Sequence, residues 1–198
     1  MNYGEEVASL YLRLNGFFLL PNFVIHRSSR VRFTSDADLL AIRTPHVYEE
    51  IGGNDGDWDP FLASRLMFGR SIGVICEVKT GAFDEAKLFR RQYVQYAVGR
   101  LGLIERERIS QVTDELITKP LIEIDRTGVI CKLLICDKER ESEAYINRGL
   151  AAAEQFLADR VSRYPQEKFA DRMFFPSKLF QFVIAQVHRE IEKRASAA

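Results

Sequence analysis

One apolar segment that ends in two charged residues constrains the fold more than any other part of the chain. Residues 72–76 are apolar and partly β-branched, which predicts a buried strand, and Glu77-Val78-Lys79 follows directly. Residues two apart in a strand point to the same face of a sheet, so Glu77 and Lys79 should lie side by side. Buried charge is costly unless it is paired or bound to a metal ion. The pattern therefore predicts a strand whose end carries either an ion pair or a metal site.

Length and composition narrow the class of protein. The 198 residues favour one domain, or one domain with an added helical part, and the formal net charge is zero. Neutral charge argues against broad, non-specific nucleic-acid binding but leaves a local basic cleft open. No apolar run is long enough to span a bilayer, and no secretory signal pattern begins the chain. The three cysteines form no CxxC pair, so we expect reduced thiols and a cytoplasmic location.

Periodicity along the chain predicts alternating helices and strands. Predicted helices cover residues 3–15, 83–103, 143–163 and 177–194, and predicted strands cover 17–25, 37–42, 72–79, 122–125 and 129–137, the last two as a hairpin. The prediction is an α/β fold in which residues 1–140 form the core and 141–198 form a C-terminal helical extension.

An acidic insertion at about residues 44–70 interrupts the predicted core. Its turn-forming residues predict a solvated loop, followed by a short helix over residues 61–68. The spacing of Asp55, Asp57 and Asp59 leaves a calcium loop as an alternative, although the later bidentate glutamate of such loops is missing.

A second carboxylate points to chemistry at the end of the third predicted strand. Asp38 begins the apolar strand before it, and if the two strands are neighbours, Asp38 and Glu77 meet across the sheet. Two adjacent carboxylates either share a proton or hold a cation, and Mg²⁺ commonly uses one or two carboxylates together with phosphate oxygens. Lys79 would orient or deprotonate the attacking water, or stabilise charge on the phosphate. These residues predict a site for metal-assisted phosphodiester hydrolysis.

Alternatives remain open at several of these positions. Asp36 shares a strand face with Asp38 and can take its place, and Glu6 competes in the same way with Glu5 in the first helical turn. Glu77 and Lys79 also suit an exposed ion pair, which stabilises a protein by at most about 1 kcal/mol. No serine or cysteine stands near a histidine in a catalytic pattern, so nucleophilic catalysis has no support.

The same residues resemble a known enzyme family. Asp38 followed by Glu77-Val78-Lys79 resembles the D…(D/E)xK signature of the PD-(D/E)XK, or restriction-endonuclease-like, nuclease superfamily. The run from Gly4-Glu5 to Gly16-Phe17 is similar to the first helix of its YraN-like and Holliday-junction-resolvase-like members, and Gln92-x-x-x-Tyr96 is similar to an element of the RecB-like nucleases. The resemblance covers about residues 3–103 and the strand near 129–136, with an Asp38-to-Glu77 gap that is long for the family.

The resemblance implies a fold, a cofactor and residue roles. The fold would be an αβββαβ core with a mixed central sheet flanked by helices. Asp38 and Glu77 would hold Mg²⁺ or Mn²⁺, Glu5 would be an accessory acid, Lys79 would activate water, and Gln92 would position the site or the substrate. The implied partner is DNA, with RNA and a homodimer left open and no membrane. The alternative is a non-catalytic nucleic-acid- or protein-binding module on the same fold, which the neutral charge favours.

Overall fold

A six-stranded mixed sheet with helices on both faces forms the protein, which confirms the predicted α/β class. The computed structural model describes residues 2–25, 35–48, 52–126, 128–164 and 178–196. The helices are α1 (Tyr3–Leu14), α2 (Pro60–Leu66), α3 (Arg91–Leu101), α4 (Ile109–Thr118), α5 (Leu150–Arg163) and α6 (Lys178–Ser196). The strands are β1 (Phe18–Ile25), β2 (Ser35–Arg43), β3 (Ser71–Lys79), β4 (Leu121–Asp125), β5 (Gly128–Cys136) and β6 (Ile146–Gly149).

The sheet combines an antiparallel meander with a parallel crossover. Strands β1, β2 and β3 pair antiparallel in chain order, and β5 then pairs parallel to β3 after the chain has passed through α3 and α4. The other edge of β5 is shared, because β4 pairs antiparallel with its first part and β6 pairs parallel with its last part. Strand β3 therefore lies inside the sheet with a partner on each side, which explains its nearly continuous apolar run.

The register of β2 and β3 brings two carboxylate positions together. Leu39 pairs with Cys76, and one further step in the same register sets Asp38 opposite Glu77. Residues that oppose each other in an antiparallel pair share a face and have close side chains. The predicted adjacency of the two strands is confirmed, and with it the meeting of the two carboxylate positions.

Side chains from the sheet divide between two cores. Leu39 and Cys76 belong to the core under α1, α2, α5 and α6, whereas Leu40 and Ile75 belong to the core under α3 and α4. Side chains alternate along a strand, so the carboxylate pair points to the α3 face. Helix α1 packs on the opposite face, where a Cβ on Gly4 would come within 2.9 Å of the Thr80 side chain.

Three helix predictions need correction. Helix α3 begins at Arg91 rather than at residue 83, because Phe89 adopts a left-handed backbone conformation with φ of 47° that a helix cannot contain. Residues 85–87 form a short 3₁₀ turn instead, capped by Asp84. Strand β6 occupies residues that we predicted as the start of a helix, and α4 was not predicted at all. In each case pairing or packing with a distant element decides the local structure.

The prediction of a solvated loop for the acidic insertion is wrong at residues 57–59, although Asn54, Asp55 and Gly56 are exposed. Asp57 and Asp59 are each only 4% exposed, and Trp58 between them is buried. The predicted short helix is confirmed as α2, with Asp59 as its N-cap and Pro60 as its first residue. Residues 49–51 of the insertion, residue 177 and the side chain of Asp36 lie outside the described part of the chain.

Two predictions from composition can be compared with the structure. All three cysteines are described, and each is buried with a free thiol. Within the described ranges no helix combines the length and the apolar character that a membrane span requires.

Candidate metal site

Three charged side chains converge at the end of β3, and we call Asp38, Glu77 and Lys79 the β3 cluster. The Lys79 ammonium lies 3.0 Å from Asp38 Oδ2 and 2.6 Å from Glu77 Oε2. The cluster is partly buried but reaches solvent, since the side chains of Asp38, Glu77 and Lys79 are 19%, 10% and 30% exposed. The predicted adjacency of Glu77 and Lys79 is confirmed, and Asp38 completes the group.

A backbone contact fixes the Asp38 carboxylate. Its Oδ2 atom accepts a hydrogen bond of 2.7 Å from the Val78 amide, in addition to the one from Lys79. Charge-assisted hydrogen bonds of this kind are stronger than neutral ones. Asp38 is therefore held from two sides and oriented toward the end of β3.

The β3 cluster has more negative than positive charge. Burial raises the pKa of Glu77, and the charge of Asp38 raises it further, so the Lys79 ammonium does not compensate fully. Burial lowers the pKa of Lys79, but Glu77 and Asp38 outweigh that effect and raise it overall. With both carboxyl groups ionised, two negative charges and one positive charge leave a net charge of −1. A divalent cation beside a charged Lys79 would change the net charge to +1, which a bound phosphate group would offset.

A buried tyrosine faces the same point, and sequence reasoning missed it. Tyr93 is 7% exposed, and its hydroxyl has no hydrogen-bond partner of good geometry among the described residues. It does make a hydrogen-bond contact of poor geometry with Glu77, which lowers the pKa of Glu77 and raises the pKa of Tyr93. A buried polar group without a partner costs about 1–3 kcal/mol. The available signal was the apolar stripe of α3, on which a tyrosine needs a polar partner.

The other two predicted site residues, Glu5 and Gln92, stand on α1 and α3 rather than on the sheet. Glu5 forms a capping box at the start of α1, accepting hydrogen bonds of 2.6 Å and 3.0 Å from the side chain and backbone of Asn2. Gln92 is exposed on the first turn of α3. In the described part of the chain, no three His, Cys, Asp or Glu side chains form one metal-binding group. Of the three carboxylates predicted to hold the metal, the structure brings two together, Asp38 and Glu77.

The donor set of the β3 cluster fits a small divalent cation. Mg²⁺ prefers hard oxygen ligands, keeps several waters and commonly needs only one or two carboxylates from the protein. The Lys79 ammonium already lies between Asp38 and Glu77, within 3.0 Å of each. A positive group is therefore favourable at this position, as a metal site requires.

A second polar cluster joins the insertion to β6 and α5. Asp59 Oδ1 accepts a hydrogen bond from the Phe61 amide at 2.9 Å, and Oδ2 accepts bonds from the Tyr11 hydroxyl and from Arg148 at 2.9 Å. The Asp59 amide donates to Asn15 at 2.8 Å. Every oxygen of this buried carboxylate has a donor.

The Asp57 carboxylate likewise has hydrogen-bond donors on both oxygens. It accepts hydrogen bonds from the Tyr164 hydroxyl at 2.6 Å, from Arg163 at 2.9 Å and from the Asn54 amide at 3.0 Å. Burial alone would raise its pKa, but these bonds and the Arg160 charge lower it overall. We call Asp57, Asp59 and the side chains bound to them the α5 network.

A cavity of about 290 Å³ opens beside the α5 network, away from the β3 cluster. Arg148, Arg160 and Arg163 line it, but each already donates to a carboxylate or carbonyl of the insertion. We therefore assign the cavity no ligand.

Comparison of the chain with protein-family models, with curated proteins and with solved structures gave no match. The functional argument therefore depends on the geometry of the β3 cluster.

Proposed function

We propose that the protein is a Mg²⁺- or Mn²⁺-dependent nuclease that hydrolyses DNA phosphodiester bonds at the β3 cluster. The observation that carries the proposal is the Lys79 ammonium, seated 2.6–3.0 Å from two carboxylates at the end of the central strand. The order of elements also supports it. Helix α1, the antiparallel meander, the helical crossover and the parallel strand β5 follow one another as the resemblance to PD-(D/E)XK nucleases implies.

Each residue of the β3 cluster has a role in this proposal. Asp38 and Glu77 would hold the divalent cation, which would act as a Lewis acid toward the phosphate and the attacking water. The Val78 amide keeps Asp38 in place, so one ligand is oriented before substrate arrives. The ammonium of Lys79 donates hydrogen bonds to the attacking water or to a phosphate oxygen, where it stabilises the negative charge that develops.

The other two predicted site residues have outer roles. Gln92 is exposed beside the buried Tyr93, and we propose that it contacts the substrate backbone. Glu5 is engaged by Asn2, so an accessory role in the metal shell requires that capping box to open.

One observation favours a different class of function. Lys79 forms an ion pair with each of the two carboxylates, so the β3 cluster also suits a structural ion triad in a non-catalytic nucleic-acid- or protein-binding module. The excess of carboxyl over ammonium groups and the poorly aligned Tyr93 hydroxyl beside Glu77 favour the metal site over this alternative.

A cleavage assay tests the proposal. Wild-type protein is incubated with linear, nicked and branched DNA and with RNA, in Mg²⁺, in Mn²⁺ and in EDTA. We expect cleavage of DNA with either metal and none in EDTA, and a rate lowered at least about 100-fold by Lys79→Ala. Lys138→Ala, an exposed lysine just after β5, is the matched control and should cleave like wild type. Identical behaviour of wild type and Lys79→Ala on every substrate would refute the enzyme proposal.

A further inference from the structure

Tyr93 occupies a position that core packing alone does not explain. It is the third residue of α3, and its ring packs in the core below that helix at 6.4 Å from the ring of Phe89. Its hydroxyl, however, is buried and makes only a poorly aligned hydrogen-bond contact, with Glu77. Buried polar atoms of folded proteins are nearly always hydrogen-bonded, so an exception calls for a functional explanation.

A neighbouring tyrosine shows how the same core treats a hydroxyl with a structural role. Tyr145 is 5% exposed and packs against the same ring, 5.8 Å from Phe89, but its hydroxyl donates to Glu85. Two buried tyrosines therefore share one aromatic partner, and of these two the one near the β3 cluster lacks a well-aligned hydrogen bond.

The groups around the Tyr93 hydroxyl are those of the candidate site. Burial raises the pKa of Tyr93, and the charges of Glu77 and Asp38 raise it further, so the hydroxyl keeps its proton and remains a donor. Glu77 is held on the other side by Lys79 at 2.6 Å. Glu77 thus contacts both the Lys79 ammonium, as an ion pair, and the Tyr93 hydroxyl, whose hydrogen bond to it is poorly aligned.

We propose that Tyr93 is a positioning residue, whose contact with Glu77 becomes a well-aligned hydrogen bond when the β3 cluster binds a divalent cation. This inference depends on the proposed function. A cation between Asp38 and Glu77 competes with Lys79 for the carboxylate oxygens, so Glu77 needs a second donor to keep its orientation. Metal-ligating carboxylates are usually hydrogen-bonded in this way, and loss of such a partner typically weakens metal binding 10–100-fold.

The test measures binding of Mn²⁺ alone, without nucleic acid. Tyr93→Phe removes only the hydroxyl oxygen, and Tyr145→Phe, which removes the other hydroxyl beside Phe89, is the matched control. Binding is followed by electron paramagnetic resonance of free Mn²⁺. We expect Tyr93→Phe to weaken Mn²⁺ binding at least about 10-fold and Tyr145→Phe to leave it unchanged. Thermal unfolding without metal should show that Tyr93→Phe is as stable as wild type or more stable.

A double-mutant cycle with Glu77→Gln shows whether Tyr93 acts through this carboxylate. Tyr93→Phe should have no further effect on Mn²⁺ binding in the Glu77→Gln background. If wild type binds Mn²⁺ and Tyr93→Phe binds it equally well, the positioning role is wrong and the proposed function stands. If wild type itself binds no Mn²⁺ and cleaves nothing, the proposed function fails and the inference fails with it.

Discussion

The β3 cluster and the α5 network lie on opposite faces of the same sheet, and they differ in how completely their carboxylates are matched. Asp59 receives donors on both oxygens from Tyr11, Arg148 and a backbone amide. Asp38 and Glu77 instead share one ammonium. Asp38 accepts one further bond from the Val78 amide, and the Tyr93 hydroxyl beside Glu77 is poorly aligned. A carboxylate whose oxygens all have hydrogen-bond donors has no capacity left for a ligand. A pair of carboxylates with fewer donors can still bind a cation. The contrast separates a network that stabilises the fold from a site that we propose to be functional.

The largest expected effect is on the α5 network. Asp59→Ala leaves Arg148 with one ion-pair partner fewer and removes the acceptor of the Tyr11 hydroxyl, both in a buried setting. Breaking a buried ion pair by removing one partner typically costs about 3–5 kcal/mol. We expect the free energy of unfolding, measured with urea, to fall by about that amount. A loss below about 1 kcal/mol would show that this network does not hold the insertion.

The next effect concerns the ammonium of the β3 cluster. Lys79→Met keeps most of the side chain but removes the charge that a bound cation has to displace or tolerate. We expect Mn²⁺ to bind at least about 10-fold more tightly, because a repulsive charge a few ångströms away has gone. DNA cleavage should nevertheless fall about 100-fold or more. Lys138→Met serves as the control, and unchanged Mn²⁺ affinity in Lys79→Met would show that the cation binds elsewhere.

A pH dependence distinguishes the α5 network from an uncharged hydrogen-bond cluster. Asp57→Asn replaces a carboxylate that has charge-assisted bonds, and at neutral pH we expect a loss of about 1.5–3 kcal/mol in unfolding free energy. The pKa of Asp57 in the folded protein lies below its ordinary value of 3.8. Its stabilisation is therefore present above pH 3.8 and is lost as the pH falls through the folded-state pKa. Urea unfolding at a series of pH values should show the gap between wild type and variant closing in acid; a gap independent of pH would contradict this.

The smallest expected effect completes the comparison. Asp38→Asn in the absence of divalent metal removes one half-exposed ion pair but also relieves the repulsion between two carboxylates. These effects oppose each other, so the unfolding free energy should change by less than about 1 kcal/mol. Mn²⁺ binding, measured on the same sample, should be lost. A large loss of stability with Mn²⁺ binding retained would assign the β3 cluster to the structural class instead.

Local sequence predicted the parts of the site that depend on neighbours along the chain. Strand β3 was predicted because its apolar run suits an interior strand, and a period of two residues places Glu77 and Lys79 together. Helix α1 and the β4–β5 hairpin were predicted for the same reason, since periodicity and turn residues lie within each segment.

The rest of the site depends on contacts that no local pattern contains. Helix α3 begins eight residues later than predicted, because Phe89 breaks the helix, and the buried residue beside the β3 cluster is Tyr93 rather than Gln92. Strand β6 has only four residues, too few for a periodic pattern in the sequence to indicate a strand. It forms because the edge of β5 offers backbone hydrogen-bond partners.

By itself the sequence determined the buried strand, the two charges on one face of its end and the candidate carboxylate Asp38. The tertiary structure decided that Asp38 stands opposite Glu77, through the register of β2 and β3. It also decided that Asp59 is buried rather than solvated, because its arginine partner comes from a residue 89 positions away. Periodicity fixes the face on which a side chain lies, but pairing of charges depends on which distant element packs against that face.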